Sequence, residues 1–140
     1  MRVRKFIESD RDTLIRVWDT IFPDSKSYNQ PAKVIDSKLA VDDLIFVVEK
    51  NAQSNGEIIG ACMAGYDGTR GWLYSVGVLP EYRRSGGGRL LVDAALQALK
   101  DIGCAKVNLQ IRPDNTAVAD FYQSLGFEIE DRLSMGCSID

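Results

Sequence analysis

The residue pattern predicts an α/β fold: a mixed, twisted sheet of six or seven strands with helices on both faces. Three observations lead there. Segments alternating with period two are interleaved with segments whose apolar residues recur at three and four, in the order β-α-α-β-β-β-α-β-α-β(-β). Residues 72–112 read as strand, helix, strand, a crossover unit whose two strands, the fourth and fifth, should be parallel and right-handed. The chain has 140 residues, 45% hydrophobic and 26% charged, which suits one globular domain over residues 1–140.

The first strand is expected over residues 3–7. Ser9 can cap a helix whose apolar residues Leu14, Val17, Trp18, Ile21 and Phe22 share one face, and Pro23 stops it. After a polar stretch over 24–30, Pro31 suits the first position of a second helix through about residue 39. Residues 44–49 read as a buried strand, 51–56 as a turn, and 58–66 as a strand rich in small residues. Asp67-Gly68 marks a tight turn before a strand over 72–78, completing an antiparallel meander. The next helix carries Leu91, Ala94, Ala95, Ala98 and Ile102 on one face and closes at Gly103. Alternation of Val107, Leu109 and Ile111 with polar neighbours predicts a half-buried strand over 106–112. Asp114-Asn115 caps a last helix with Val118, Phe121, Tyr122 and Leu125, closed by Gly126. The tail over 127–139 reads as one or two further strands.

Several function classes fall away on composition. Seventeen basic and twenty acidic residues leave a net charge of −3, which gives no basic face for nucleic acid. No stretch approaches the apolar length of a membrane span, and the basic start, Met1 to Lys5, runs into Ser9-Asp10 rather than an apolar leader. A cytoplasmic protein without membrane or nucleic-acid partners is expected. Histidine is absent, which removes Ser-His-Asp and Cys-His catalysis and most zinc sites, so no metal is expected. Cys62, Cys104 and Cys137 sit among apolar neighbours and read as free thiols.

The chemistry concentrates where the fourth strand feeds the third helix, through Arg83-Arg84-Ser85-Gly86-Gly87-Gly88-Arg89. The first N–H groups of a helix have no intrahelical partner, and three glycines remove every Cβ around them. The helix dipole and the charges of Arg83, Arg84 and Arg89 favour an anion there, and a diphosphate is the natural guest. A phosphate-binding P-loop would need Gly-Lys-Ser/Thr, and a dinucleotide fingerprint would need glycine at Leu91.

These residues resemble the Arg/Gln-x-x-Gly-x-Gly/Ala signature of the GNAT superfamily of N-acetyltransferases. A second stretch, Asn115-Thr116-Ala117-Val118-Ala119-Asp120-Phe121-Tyr122 with Gly126-Phe127, is similar to that family's Asn-x-x-Ala-x-x-x-Tyr…Gly-Phe element, with Val118 where alanine is usual. The turn through Gly65-Tyr66-Asp67-Gly68 and Arg70-Gly71 resembles the small YpeA-like bacterial subgroup. The resemblance covers essentially the whole chain. It implies an enzyme that uses acetyl-CoA as co-substrate, with the fourth and fifth strands splayed to admit it. It implies that the turn holding Arg83, Arg84, Ser85, Gly86, Gly87, Gly88 and Arg89 binds the pyrophosphate. Val76, Gly77 and Val78 would hydrogen-bond the pantetheine amides, and Asn115 would lie along that arm. Tyr122 would stand near the thioester sulfur.

Acetyl transfer to an amine needs a neutral amine, stabilisation of the developing oxyanion, and protonation of the thiolate. An N–H near Val78 on the splayed strand meets the second need. Tyr122 meets the third: a phenol is a weaker acid than an alkyl thiol, yet it can donate a hydrogen bond as charge develops. For the first need, the central strand offers Tyr74-Ser75-Val76 and no carboxylate. Glu49 and Asp67, the nearest acids, read as ordinary surface charges and stay outside the catalytic set. The amine, on a small molecule or a peptide, is expected to meet Tyr28, Tyr66, Asp67 and Ser75. The alternative is a degenerate CoA-binding sensor without turnover. The chain is expected to be a monomer or homodimer.

Overall fold

A computed structural model describes residues 1–24, 26–51 and 56–139. The chain forms two compact units, residues 1–109 and 110–140. The first contains β1 (Arg2–Lys5), α1 (Arg11–Ile21), α2 (Pro31–Leu39), β2 (Ile45–Glu49), β3 (Ile58–Tyr66), β4 (Gly71–Val78), α3 (Gly87–Asp101) and β5 (Val107–Asn108). They build one sheet in the order β1-β2-β3-β4-β5, antiparallel except for the parallel β4–β5 pair. The second unit holds α4 (Thr116–Ser124). The expected turn over 51–56 and polar stretch over 24–30 fall partly outside the described residues.

The sheet of the first unit is filled from both sides. Leu14, Val17 and Trp18 of α1 and Ile35 of α2 pack with Ile45, Val47, Ala61 and Met63. On the other face lie Leu91, Val92, Ala95 and Leu99 of α3, all fully buried. That stripe is rotated from the expected one: Ile102 is exposed, because α3 ends at Asp101 and Gly103 turns the chain at φ +95°. Glycine on β3 and β4 permits close packing. A Cβ on Gly77 would stand 2.8 Å from Ile21 Cγ2, and one on Gly60 would stand 2.7 Å from the Gly77 carbonyl oxygen.

Three expectations need correction. The described residues form five strands, not six or seven. The strand expected over 106–112 is two residues long, and 127–139 contains no strand. Alternation makes a strand possible, but a strand exists only where a neighbour takes its backbone groups. In the second unit the backbone bond from Arg132 N–H to Glu130 O at 3.0 Å is local, and Gln110 Nε2 meets Ser134 Oγ at 2.6 Å through side chains. At the start of α1, Asp10 rather than Ser9 occupies the N-cap position. Its carboxylate accepts the Ile7 N–H at 2.9 Å and the Arg4 guanidinium at 2.8 and 3.0 Å.

Candidate active site

The site begins where β4 outruns its parallel neighbour. The β4–β5 pairing consists of Gly71 with Val107 and Trp72 with Asn108. From Leu73 to Val78, β4 continues with no strand beside it on that edge among the described residues. Its other edge is paired to β3, with Gly60 opposite Val78, Ala61 opposite Gly77, and Met63 opposite Tyr74. Ser75 and Val76 therefore both oppose Cys62, a β-bulge.

The phase of this ladder fixes which backbone groups point outward. Leu79 N–H donates to Ile59 O at 2.7 Å at one end, and Asp67 N–H donates to Arg70 O at 3.2 Å at the other. Hydrogen-bonded and non-hydrogen-bonded pairs alternate along an antiparallel ladder. Counting inward makes Ala61–Gly77 and Met63–Tyr74 bonded pairs. Ser75 and Val78 then turn their amides away from β3, and Val76 lies inside the bulge, where the alternation is interrupted. Ser75 pays for the bulge with φ +51°, a left-handed conformation unusual for a residue with a side chain. Its carbonyl accepts the Trp18 Nε1–H at 3.1 Å.

After β4 the chain makes a 3-10 turn over Pro80–Tyr82 and enters the glycine segment. Arg83 Nε returns to the Val78 carbonyl at 3.2 Å, and the Ser85 hydroxyl donates to Tyr82 O, which pins the turn to the strand end. Arg84 takes φ +64° and Gly86, the N-cap of α3, takes φ +94°. Among the described residues, the first N–H of this helix to find a protein acceptor is that of Leu90, on Gly86 O at 3.1 Å. The amides of Gly87, Gly88 and Arg89 are left as open donors. Gly87 is buried against Val48 and Val78, so the helix start sits directly on the sheet. Arg83, Arg84, Ser85, Gly86 and Arg89 are exposed around it. Arg89 and Asp93 are 3.8 Å apart, both mostly exposed, a weak pair that leaves the arginine charge available. Lys50, which sequence reasoning passed over, lies 5.3 Å from the ring centroid of Tyr82 and adds a cation beside the turn.

The other expected residues are placed differently. Tyr66 donates through its hydroxyl to Gly68 O at 2.9 Å and reaches Gly103 O at 3.5 Å. Gly103 follows the C-terminus of α3, a helix about 22 Å long at 1.5 Å per residue, so Tyr66 lies at the far end from the glycine turn. Asp67 Oδ1 accepts the Thr69 N–H, the Arg70 N–H and the Thr69 hydroxyl. The backbone donors, Thr69 first, hold this exposed carboxyl below its ordinary value. Tyr28 is exposed in the short turn Ser27–Asn29. Of the four acceptor candidates, only Ser75 belongs to the β4 bulge. Glu49, expected as a surface charge, is buried in an ion-pair cluster with Arg2 and Arg4, at 2.9 and 2.7 Å. In the second unit, Asn115 Oδ1 caps α4 by accepting the Val118 N–H at 3.4 Å. The Tyr122 ring is buried, edge-on to Phe121 and Phe127 with centroids 5.0 and 5.3 Å away.

Three comparisons with known proteins bear on this arrangement. The model of the acetyltransferase (GNAT) family matches residues 8–127. The chain belongs to the GNAT family. An acetyltransferase of Yersinia pestis is 37% identical over 139 residues, covering 97% of this chain and 94% of that protein. An acetyltransferase of Sodalis glossinidius is 37% identical over 136 residues, covering 95% and 91%. Among solved structures, the aminoglycoside acetyltransferase AAC(6')-Iy, bound to a bisubstrate analogue of CoA and acetylneamine, superposes with a TM-score of 0.77 at 21% identity. That match covers 99% of this chain and 98% of the other. Glucosamine-6-phosphate N-acetyltransferase of Arabidopsis thaliana superposes with a TM-score of 0.70 at 22% identity, covering 99% and 98%. These structural likenesses establish the GNAT fold, and the enzyme class of the family is acyltransferase.

Proposed function

We propose that this GNAT protein transfers the acetyl group of acetyl-CoA to a primary amine of a small molecule or peptide, by direct attack in a ternary complex. The single observation that carries this reading is the start of α3: three consecutive amides, of Gly87, Gly88 and Arg89, with no described acceptor, framed by arginines at the end of the free-edged β4. Those donors and that charge fit the pyrophosphate of acetyl-CoA, and Gly86 at φ +94° keeps the approach clear of a side chain. When bound, the co-substrate supplies an acetyl group activated as a thioester.

The amides of Val76 and Val78 on β4 are the donors for the pantetheine arm and for the charge that develops on the thioester oxygen. Gly77, with no side chain, lets α1 pack against the same strand. Tyr122 is kept as the proton donor to the departing thiolate and Asn115 as a contact of the arm, both on the family resemblance. The family match runs through both compact units, which supports residues 1–140 acting as one N-acetyltransferase domain.

Calorimetry with acetyl-CoA tests the reading. Wild-type protein should bind saturably, and Gly86→Glu should lose binding, because it puts a negative charge where phosphate must lie. Gly86→Ala carries the same positive-φ strain without the charge and should retain most affinity. Wild-type affinity in Gly86→Glu would overturn the cradle. In thiol-release assays with an amine panel, Tyr122→Phe should lower turnover while leaving acetyl-CoA affinity within a few-fold. Saturable binding with no turnover on any amine would return the sensor alternative.

A further inference from the structure

We propose that Trp18 is a positioning residue for acetyl transfer: its indole N–H holds the Ser75–Val76 peptide so that the Val76 N–H faces out of the sheet as a donor to the acetyl thioester. The inference rests on the reading of β4 given above.

Trp18 is 3% exposed and packs in the apolar layer between α1 and the sheet. A phenylalanine or leucine would fill such space with no polar atom to satisfy. The one polar atom of the side chain is spent on the carbonyl of Ser75, 57 residues away and at the centre of the bulge. Trp18 is buried and Ser75 is exposed, so the indole N–H has no other partner in reach among the described residues and would be left unsatisfied if the Ser75–Val76 peptide turned over. The described residues have no cis peptide, and in a trans peptide the carbonyl and the following N–H point in opposite directions. Drawing Ser75 O towards α1 therefore sends Val76 N–H away from α1. Val76 lies within the bulge, between the pairs Ala61–Gly77 and Met63–Tyr74, and β5 has ended. Its N–H is left on the side of β4 away from α1, where no strand stands beside it among the described residues.

The bulge also needs such a restraint. Ser75 at φ +51° would relax if its peptide were free to turn over, and the Trp18 indole holds its carbonyl in place. The close seat of α1 keeps the donor in reach, since Ile21 lies against Gly77 where a Cβ would stand only 2.8 Å from Ile21 Cγ2. One helix thus fixes the strand by an apolar contact and orients one peptide by a hydrogen bond.

The test replaces Trp18 with benzothienylalanine, which keeps the bicyclic shape and substitutes sulfur for the N–H. Backbone amide resonances are followed during titration with acetyl-CoA and, separately, with CoA. In wild type, the Val76 amide should shift more with acetyl-CoA than with CoA, while the amides of Gly86 to Gly88 shift equally with both. In the benzothienylalanine protein the acetyl-specific shift of Val76 should be lost, with the glycine shifts retained, and 5-fluorotryptophan at position 18 should restore it. A merely structural Trp18 would leave the Val76 response as in wild type. That result, or a wild-type Val76 amide blind to the acetyl group, overturns the inference alone. Glycine amides that do not respond in wild type overturn the acetyl-CoA reading and this inference with it.

Discussion

Glu49 and Asp10 are acids buried to within 2% and 7% of full cover, and both are held by Arg4, whose guanidinium spans them with its Nε on Glu49 and its two terminal nitrogens on Asp10. Burial alone would raise both carboxyls. The hydrogen bonds and charge of Arg4, joined by Ile7 N–H at Asp10 and by Arg2 at Glu49, outweigh it and leave both below their ordinary values. A depressed folded-state value stabilises the protein fully above the unfolded value, near pH 4, and that contribution is lost as pH falls through the folded values. We therefore expect the urea midpoint to fall as pH drops below about 4. Glu49→Gln should cost about 2 kcal/mol at pH 7, less than a wholly buried pair because Arg2 is 44% exposed, and should flatten the acid slope. Equal slopes in mutant and wild type would count against it. Sequence could not place these acids: Glu49 ends a strand, and strand-end carboxylates are usually solvated.

At the scale of elements, β3 and β4 are joined more closely than their side-chain pattern alone explains. A Cβ on Gly60 would meet the carbonyl oxygen of Gly77 at 2.7 Å and Val78 Cγ2 at 3.0 Å. The first obstacle is backbone and cannot swing aside, so Gly60→Ala should destabilise by about 1–3 kcal/mol. Urea unfolding should show a lower midpoint with an unchanged slope, and wild-type stability would disprove the close approach. The cap of α4 by Asn115, the start of α2 at Pro31 and the turn at Gly103 were legible from residue type. The length of β5 and the fate of 127–139 were not. Leu109, Ile111, Ile129, Leu133 and Met135 alternate well enough for strands, but alternation carries no information about whether a partner edge is there.

At the scale of the whole molecule, Cys62 reports on the core of the first unit. It has no exposed surface, and burial pushes its thiol up to about 12. Cys137 is exposed and Cys104 half-buried. With a thiol reagent at pH 8, Cys137 should react at once and Cys62 only at the rate of global opening. Labelling of Cys62 as fast as Cys137 would show a core that opens locally. By itself the sequence determined the order of the elements as far as α4, the parallel crossover, the helix start at the glycine turn and the family. Each of these is written in neighbouring residues: periodicity, caps, and the freedom of glycine backbone. The tertiary structure alone decided the Ser75 bulge, its clasp by Trp18, and the burial of Glu49. Those rest on groups 57 and 45 residues apart in the chain, which meet because α1 and β1 pack where they do, and no local pattern records that meeting.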